Sequence, residues 1–445
     1  MPNTKTRTPE PSLPLHERSL KSVWHPCTQM KQHETHPLLP IVSGKGVWLY
    51  DPDGKSYIDA ISSWWVNLFG HTNPRINAAI RDQLDKLEHV MLAGFTHEPV
   101  IALSERLKKL APGTLGHCFY ASDGSSAIEI ALKMSFHYWQ RCDQTQKVNF
   151  VSLKNDYHGE TLGALSVTDV AIFKDTYAPL LRPCMHVPTP DWRYAKDGES
   201  AKDYALRTAL ALERYLAKHH TETAAFIIEP LVQCATGMGM YHPIYLKRAR
   251  EICDQYQVHL IADEIAVGFG RTGTMFACEQ ACITPDFLCL SKGLSGGYLP
   301  LSVVMTTDTI FQAFYHEKTS FAFLHSHTHT GNALACRAAL ATLDIFEADK
   351  IIDANHIKAD YLNKISQSLS THPKVRNFRN CGMIWAFEVE SNDASFTERF
   401  FQAALDQQLL LRPLGNTVYF MPPYVINEQE MDLLVQGTLH VLNAL

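Results

Sequence analysis

The sequence predicts an α/β protein in which helices cover both faces of a mostly parallel β-sheet, with a second, smaller lobe beside it. The chain has 445 residues, more than the roughly 250–300 residues at which a single hydrophobic core usually stops growing. Short apolar runs alternate with helical patterns along its middle, as expected for parallel strands buried on both faces. Hydrophobic residues make up 46% of the chain, which is enough to fill such cores and excludes disorder.

The first seventy residues contain two predicted regions. Residues 1–20 are polar and rich in proline and threonine, and we expect a flexible arm there. Residues 41–60 alternate apolar and polar side chains across the turn Asp51-Pro52-Asp53-Gly54, a pattern that predicts a β-hairpin. Residues 21–70 are therefore assigned to the smaller lobe.

The middle of the chain alternates between strands and helices. Five apolar runs are the predicted strands: CFYA (118–121), FVSL (150–153), AFII (225–228), HLIA (259–262) and FLCL (287–290). Residues 243–256 predict a helix, because Pro243 stands at its start and apolar residues recur on one face. We assign residues 71–335 to the large domain that contains the parallel sheet.

The C-terminal region returns to the smaller lobe. Beyond residue 335 the pattern predicts a long helix, then a strand near 382–390, then a further α/β segment. Together with residues 21–70, the segment 336–445 is expected to form a smaller α/β domain built from both ends of the chain.

Charge and composition exclude several classes of protein. A formal net charge of −6 argues against electrostatic capture of nucleic acid. No stretch approaches the ~18 consecutive apolar residues of a membrane span, and the polar start lacks the apolar segment of a signal peptide. The 11 cysteines are odd in number and scattered without a CxxC pair, which indicates reduced thiols, a cytoplasmic location and no metal site.

Polar side chains follow the predicted strands at their carboxyl ends, where ligands bind in open parallel sheets. In chain order they are the stretch 122–126 before a helix, the loop 155–160, Glu229, the pair Asp263 and Glu264, and Lys292. Each has an ordinary explanation by itself, as a helix cap, a loop residue or a lysine that extends to solvent. One edge of the sheet nevertheless collects a helix N-terminus, an aromatic ring, acids and a lysine.

Pyridoxal phosphate needs this whole set of groups. Its aldehyde requires a lysine for a Schiff base, and its pyridine nitrogen requires an acid that keeps it protonated. Its phosphate requires backbone donors at a helix N-terminus, and its ring requires a flat side chain. The conjunction therefore indicates a pyridoxal phosphate enzyme.

Three other patterns in the sequence are typical of different classes of protein. The GxGxxG run 268–273 does not follow its strand directly, as a dinucleotide site requires. The GxSxG run 293–297 is typical of serine hydrolases but leaves Lys292 unexplained. His325, His327 and His329 alternate as metal ligands on a strand do, without a matching set of carboxylates. A hydrolase built on Ser295 or on these histidines, and a catalytically silent protein with a pyridoxal phosphate fold, remain the alternatives.

Longer motifs carry a resemblance to a known family. The run LIADEIAVGFGRTG (260–273), followed by LSKG (290–293), resembles the signature of the class III, fold-type I aminotransferases, which depend on pyridoxal phosphate. Further runs, WHPCTQM (24–30), SSWWVNLFGHTNPRIN (62–77) and RPLGNTVYFMPPY (412–424) among them, resemble the branch of this family that serves biotin synthesis. That branch transfers an amino group from S-adenosylmethionine to 8-amino-7-oxononanoate. The resemblance extends from about residue 20 to residue 430.

The resemblance implies a role for each matching residue in cofactor binding. Lys292 would form the Schiff base and act as the catalytic base, and Asp263 would partner the pyridine nitrogen. Tyr157 would cover the ring. The phosphate would be bound by Gly124 and Ser125, and also by His327 and Thr328 of the neighbouring subunit, which implies a homodimer.

The same resemblance implies where the small-molecule substrates bind. The keto acid would contact Trp64, Tyr157, Ser326 and Arg412, with Lys292 and Arg271 near the substrate. The chain departs from the family pattern in four positions: Cys27 stands where a tyrosine is usual, Glu160 where an aspartate is common, and Ser326-His327 where Gly-Pro is common. Cys27 concerns recognition of the donor, so a lysine donor, or another class III ω-aminotransferase activity, stays open.

Overall fold

The computed structural model describes residues 13–36 and 38–445. Its strands are β1 (Ser43–Lys45), β2 (Trp48–Tyr50), β3 (Ser56–Asp59), β4 (Leu115–Ala121), β5 (Asn149–Leu153), β6 (Met185–Val187), β7 (Thr223–Ile228), β8 (Val232–Gln233), β9 (Gly239–Met240), β10 (His259–Asp263), β11 (Phe287–Leu290), β12 (Ser302–Thr307), β13 (Val375–Cys381), β14 (Ile384–Val389), β15 (Leu409–Leu410) and β16 (Thr417–Phe420).

The helices are α1 (Leu15–Ser22), α2 (Ser62–Trp65), α3 (Pro74–Leu84), α4 (Glu98–Leu110), α5 (Gly124–Arg141), α6 (Leu162–Val167), α7 (Ala171–Lys174), α8 (Ala201–His219), α9 (Ile244–Tyr256), α10 (Asp308–Gln312), α11 (Ala333–Ala348), α12 (Ile351–Ile365), α13 (Gln367–Ser370), α14 (Phe396–Asp406) and α15 (Glu428–Ala444). Of these, α2 is a single short turn. None of the helices within 13–36 and 38–445 is long and apolar enough to cross a lipid bilayer.

A seven-stranded sheet forms the centre of the molecule, with strand order β4-β12-β11-β10-β7-β5-β6. The neighbours from β11 through β10, β7 and β5 to β6 are all paired in parallel. The five strands that the apolar runs predict, β4, β5, β7, β10 and β11, all lie in this sheet, so the prediction of a mostly parallel sheet is confirmed.

The sheet is covered on both faces because its strands alternate between two cores. In β7, Ala225 and Ile227 belong to the core beneath α5, together with Ile128 and Ile261. Their neighbours Phe226 and Ile228 belong to the larger core that also contains side chains of α8 and α9. Successive side chains of a strand point to opposite faces, and here both faces are apolar.

Strand β12 departs from the parallel pattern and pairs antiparallel with both β11 and β4. Only residues 291–301 separate it from β11, and that short connection contains no helix long enough for a parallel crossover. The apolar runs did not predict β12 or the short edge strand β6.

The two ends of the chain meet in smaller sheets. The predicted hairpin is present as β2 and β3, which pair across the turn at Asp51–Gly54. Strand β3 also pairs in parallel with β15, so that Ile58 lies beside Leu409. Strands β13, β14 and β16 form a separate three-stranded sheet. These pairings agree with a smaller domain built from both ends, although the boundaries at residues 70 and 335 stay predictions.

The predicted flexible arm differs from what is observed. Residues 1–12 lie outside the described residues, but α1 begins at Leu15 and ends at Ser22. Glu17 in its first turn and Lys21 in its last complement the helix dipole. No side chain of α1 is buried, so residues 15–20 belong to an exposed helix where the sequence predicted an arm.

Candidate active site

A cavity of about 600 Å³ opens at the carboxyl ends of the parallel strands. The residues that follow β4, β5, β7, β10 and β11 all contribute to its lining. Five residues selected from the sequence line it together: Gly124, Ser125, Tyr157, Asp263 and Lys292. Because parallel strands end at one edge, residues separated by up to 168 positions reach one cavity.

Lys292 follows β11 and begins a 3₁₀ turn that ends at Ser295. Its φ of 39° lies in the left-handed region, which costs a residue other than glycine of order 1 kcal/mol. Its Nζ lies 5.2 Å from the centroid of the Trp65 ring. Burial lowers the pKa of Lys292, and the charge of Asp263 partly opposes this. A lowered pKa favours the neutral amine that a nucleophilic lysine needs.

The N-terminus of α5 lies in the cavity wall, where the sequence predicts a phosphate site. Asp123 caps the helix by accepting hydrogen bonds from the backbone N–H of Ser126, at 2.9 Å, and from its hydroxyl, at 3.0 Å. Gly159 packs against this turn with a φ of +124°, and a Cβ on it would lie 2.1 Å from Ser125 Oγ. Small residues therefore leave free backbone at a helix N-terminus, where an anion is favoured.

Two glutamates hold Tyr157, one through its backbone N–H and one through its hydroxyl. Its backbone N–H donates to Glu229 Oε2 at 2.8 Å, and its hydroxyl donates to Glu160 Oε1 at 2.9 Å. Burial and the hydrogen bond to Glu160 raise the pKa of the Tyr157 hydroxyl, which keeps it a neutral donor. The ring therefore lies in a fixed place on the cavity wall, as a covering side chain requires.

Asp263 ends β10 and is held in place through both carboxylate oxygens. Oδ1 accepts the backbone N–H of Ile265 at 3.1 Å, and Oδ2 pairs with His158 Nδ1 at 2.8 Å. His158 also lines the cavity. In the sequence this histidine is an ordinary loop residue, and the signal that points to a role is its position next to Tyr157 after a parallel strand.

Glu264 comes from the same strand end but serves another purpose. It accepts the backbone N–H groups of Ala277, at 2.6 Å, and Cys278, at 2.8 Å, and it is absent from the cavity lining among the described residues. Burial raises its pKa to about 7. The adjacent side chains of Asp263 and Glu264 separate because alternate residues of an extended chain point to opposite sides.

An unusual turn contributes Trp65 to the cavity lining, and the exposed region around its Trp64 is called the cavity mouth. All four residues of α2, Ser62–Trp65, have positive φ, between 46° and 73°, a left-handed conformation that costs about 1–2 kcal/mol per residue. Asp59 accepts the Ser63 N–H at 2.8 Å and its hydroxyl at 2.7 Å, which stabilises the turn. The turn points Trp65 into the cavity and leaves Trp64 exposed.

Three residues predicted to recognise substrate meet at this mouth. The Arg412 guanidinium lies over the Trp64 ring, 5.2 Å from its centroid, and Nη2 donates to the Cys27 carbonyl at 3.0 Å. Partial burial and the nearby charge of Glu160 raise the pKa of the Cys27 thiol, while Arg412 opposes the rise. Because Glu160 lines the cavity, this group lies beside it rather than at a remote surface.

Arg271 lies elsewhere, in the interior. It is 1% exposed, its Nη1 donates to the Pro422 carbonyl at 2.7 Å, and its guanidinium lies 4.8 Å from the centroid of the Tyr424 ring. Burial lowers its pKa. In this arrangement Arg271 ties the loop after β10 to the C-terminal region, and it is not among the residues that line the cavity.

The segment with Ser326, His327 and Thr328 also lies outside the cavity of its own chain. Ser326 and Thr328 are exposed, and the Thr328 carbonyl pairs with His89 Nε2 at 2.9 Å. The neighbouring histidines diverge, since His325 contacts Lys133 whereas His329 packs on His89. In the part of the chain that the structure covers, no three His, Cys, Asp or Glu side chains come together as a metal site.

Ser295, the serine of the GxSxG run, does not have the surroundings of a catalytic serine. Ser295 Oγ donates to the carbonyl of Leu299, four residues on. Its hydrogen bonds among the described residues involve only Leu299, so no histidine activates it. The GxGxxG run lies in the loop after β10 and does not open a helix, so it lacks the strand–helix setting of a dinucleotide site.

The cavity fits pyridoxal phosphate by the chemistry of its walls. It presents an amine with a lowered pKa, a carboxylate fixed by two partners, an aromatic ring and a helix N-terminus kept open by glycine. Lys292, Asp263 and Tyr157 would hold the aldehyde, the ring nitrogen and the ring face, and Gly124 and Ser125 the phosphate.

Comparisons with known proteins agree with this chemistry. Residues 29–442 match the family model described as "Aminotransferase class-III". The chain is 48% identical to an adenosylmethionine-8-amino-7-oxononanoate aminotransferase of Helicobacter pylori, covering 96% of this chain and 97% of that one. Identity to the enzyme of the same name from Geobacter sulfurreducens is 39%, with 98% of each chain covered.

Solved structures extend the likeness to three dimensions. The structure of an adenosylmethionine-8-amino-7-oxononanoate aminotransferase from Methanocaldococcus jannaschii superimposes with a TM-score of 0.91 at 34% identity, covering 97% of this chain and 98% of that one. An ω-transaminase from Pseudomonas jessenii, solved in complex with PMP, superimposes with a TM-score of 0.92 at 30% identity, with 97% and 98% covered.

Proposed function

Because this chain belongs to the class III aminotransferases, which depend on pyridoxal phosphate, we propose that it transfers an amino group from S-adenosylmethionine to 8-amino-7-oxononanoate in biotin synthesis. The observation that carries the choice within the family is the near full-length likeness to enzymes of that name, at 34–48% identity in several organisms. A hydrolase and a silent binding protein are disfavoured, because Lys292 and Asp263 both line one cavity.

Bound pyridoxal phosphate supplies an aldehyde that condenses with amines and a ring that accepts an electron pair from the adjacent carbon. Lys292 would hold the aldehyde until the amine of the donor displaces it, which frees Nζ as a neutral amine. Nζ would then take the proton from the amine-bearing carbon of the donor and deliver it to the cofactor, and in the second half of the reaction it would carry a proton from the cofactor to the acceptor carbon. The lowered pKa of Lys292 supports this role, because an ammonium cannot accept a proton.

Asp263 holds a proton on the ring nitrogen, and its two fixed oxygens support this role. A carboxylate in a buried wall stabilises a positive charge far more than it would in water. Tyr157 orients the ring and helps to exclude water from the cavity. Gly124 and Ser125 bind the phosphate through the N-terminus of α5.

Arg412 binds the carboxylate at the far end of the keto acid. A guanidinium at the cavity mouth supports this role, since it grips a carboxylate through two parallel hydrogen bonds. Trp64 supplies an apolar surface for the chain of the acid, and Ser326 and Cys27 contact substrate from the rim. Arg271 holds the C-terminal region in place without lining the cavity, and the hydrogen bond from its guanidinium to the Pro422 carbonyl supports this role.

The active form is proposed to be a homodimer in which Thr328 and His327 reach the phosphate site of the partner subunit. The exposed position of Thr328 outside its own cavity supports this, as do the exposed side chains of Met91, Phe95 and Leu324. A cytoplasmic location is proposed as well, supported by the free thiols of all 11 cysteines.

A spectroscopic half-reaction screen tests the activity. Purified protein loaded with pyridoxal phosphate should be yellow, and S-adenosylmethionine should remove the visible absorbance in a single turnover. Addition of 8-amino-7-oxononanoate should then restore it. If only lysine removes the colour, the donor is wrong and the family assignment stands. A colourless protein that hydrolyses esters would contradict the whole proposal.

Mixed dimers test the shared site. Lys292→Ala and Thr328→Val inactivate different parts of it, and each homodimer should have little activity. A hybrid of the two chains contains one intact site if Thr328 serves the partner, so mixing should restore activity to about half of the unmutated level per hybrid dimer. If Thr328 serves its own subunit, the hybrid has no intact site and stays inactive.

A further inference from the structure

A line of buried charged side chains runs from the cavity wall into the protein. Asp263 and His158 line the cavity, and Asp156 lies behind them, outside the lining. His158 Nδ1 is 2.8 Å from Asp263 Oδ2, and His158 Nε2 is 3.5 Å from Asp156 Oδ2. The side chains of Asp156 and His158 are fully buried. One imidazole therefore lies between two carboxylates in a place without bulk water.

Asp156 is oriented toward the imidazole by Gln233. The Gln233 amide donates to Asp156 Oδ1 at 2.6 Å and to the Lys154 carbonyl at 2.8 Å, while its Oε1 accepts from the Thr189 hydroxyl. Those contacts satisfy Oδ1. Asp156 Oδ2 and His158 Nε2 lie 3.5 Å apart, the distance of an ion pair, and neither atom has a hydrogen-bond partner among the described residues. Burying a charged group is costly unless an opposite charge lies beside it, and the imidazole and the carboxylate are each placed to supply that charge to the other.

We propose that Asp156 is a positioning residue that keeps both nitrogens of His158 protonated, so that the charge next to Asp263 stays constant across the neutral pH range. The proposal rests on the proposed function, in which Asp263 holds the protonated ring nitrogen of the cofactor. Asp156 touches neither substrate nor cofactor and acts only through His158.

The charges of Asp156, His158 and Asp263 explain why the charge next to Asp263 stays constant. Two carboxylates and one imidazolium sum to −1, and this sum is fixed as long as His158 keeps its proton and both carboxylates stay ionised. Burial raises the pKa of Asp156, and the contacts with His158 and Gln233 oppose the rise. A histidine without such partners has a pKa of about 6.5 and changes charge in the neutral range. Burial disfavours the imidazolium here, but Asp156 and Asp263 outweigh it and raise the pKa of His158 to about 10.

Other titratable groups lie near the line. Glu229 lies beside Asp156 and Asp263, and burial and the charge of Asp156 raise its pKa well above the usual range. His186 on β6 has its pKa lowered to about 4 by burial and by Lys174, so it is neutral at neutral pH. On the cavity side, the pKa of Lys292 is lowered by burial. The imidazolium of His158 is therefore the cation that both carboxylates of the line share.

Asp156→Asn separates this role from a structural one. An asparagine oxygen still accepts from Gln233, and the side chain keeps its size, but the negative charge behind His158 is lost. Asp169→Asn is the matched control, because Asp169 lies in the neighbouring loop near His186, at 3.9 Å, and accepts a backbone N–H from Asn155. Thermal unfolding of all three proteins reports any general loss of stability.

The protonation of His158 is measured by NMR of protein with ¹⁵N-labelled histidine, with and without pyridoxal phosphate, and His158→Asn identifies the signal. In the unmutated protein the signal should stay that of an imidazolium from pH 6 to 9. In Asp156→Asn its titration midpoint should fall by about 1–3 pH units. The pH profile of kcat/KM for the amine donor should then gain an inflection at that midpoint, about tenfold in size. Asp169→Asn should change neither readout.

Two results would overturn the proposal. The first is a neutral His158 at pH 7 in the unmutated protein, which can be observed even if Asp156→Asn does not fold. The second is an Asp156→Asn variant whose His158 titration midpoint and kcat/KM pH profile match those of the unmutated protein. Failure of the proposed function looks different. In that case the protein neither binds pyridoxal phosphate nor responds to amine donors, while the titration of His158 in the cofactor-free protein still tests the charge of the line.

Discussion

The inner wall of the cavity and its mouth are built in different ways. On the inner wall, Asp263, Tyr157 and His158 are each held by two or more hydrogen bonds or ion pairs to other side chains and backbone groups, and they follow strands of one sheet. At the mouth, Arg412 is held by one hydrogen bond to the Cys27 carbonyl and by the face of Trp64, and both partners are exposed.

This difference separates the proposed chemistry from substrate recognition. Rigid buried groups keep their geometry and their pKa shifts, which proton transfer requires. Exposed groups with few partners are screened by water and rearrange at low cost, so each contributes less. We therefore expect changes on the inner wall to reduce kcat by large factors, and changes at the mouth to alter KM by smaller factors.

Lys292→Ala should have the largest effect of any single change on the inner wall. Without an amine on this turn, no group takes the proton from the donor, and general base catalysis alone contributes about 10²–10⁴ in rate. Multiple-turnover activity should fall by about that factor or more, measured by formation of the diamino product. Retention of ordinary turnover with a folded dimer would show that Lys292 is not the base.

Asp263→Asn should have the next largest effect. The amide still hydrogen-bonds but has no charge to stabilise a protonated ring nitrogen, and removal of one such electrostatic contact costs about 10²–10³ in kcat. Stopped-flow measurement of the donor half-reaction should show the loss in the rate constant and not in the donor concentration that gives half the rate. Asp308→Asn, at an exposed carboxylate paired with His117, is the control and should behave as the unmutated enzyme.

Arg412→Ala tests the mouth. A hydrogen bond to a charged group contributes about 1.5–3 kcal/mol, so KM for the keto acid should rise about ten- to hundredfold, while affinity for pyridoxal phosphate is unchanged. Arg412→Lys should recover only part of the loss because an ammonium cannot form the paired contact. Equal KM in Arg412→Ala and the unmutated enzyme would remove Arg412 from the substrate site and weaken the distinction between wall and mouth.

Cys27→Tyr should have the smallest effect, and it should be a gain. A thiol has no ring face, and an aromatic pair contributes about 0.5–1.5 kcal/mol, so a tyrosine at the exposed Cys27 should lower KM for S-adenosylmethionine about three- to tenfold. Any half-reaction with lysine should stay nearly unchanged, because lysine has no adenine ring to stack. Improvement with lysine and not with S-adenosylmethionine would assign the donor to lysine.

Several features of the site could be read from the sequence, and others could not. Asp263 and Lys292 were found because each stands at the end of an apolar run, and the carboxyl ends of parallel strands meet at one edge. Glu264 was selected for the same reason but points to the other side of the chain, where it binds the N–H groups of Ala277 and Cys278. The role of His158 cannot be read from the sequence, because its partner Asp263, 105 positions away in the chain, becomes its neighbour only when β5 and β10 lie in one sheet.

The sequence by itself determined the class of fold, the strand ends that carry the chemistry, and the family, because apolar periodicity and short motifs are local properties of the chain. The tertiary structure alone decided which distant segments close the site. It places the Arg412 side chain against the carbonyl of Cys27, 385 positions away in the chain, and it directs Trp64 and Trp65 by a left-handed turn. It also buries Arg271 against the carbonyl of Pro422. No local pattern encodes these contacts, since each arises from packing between segments whose approach depends on the whole fold.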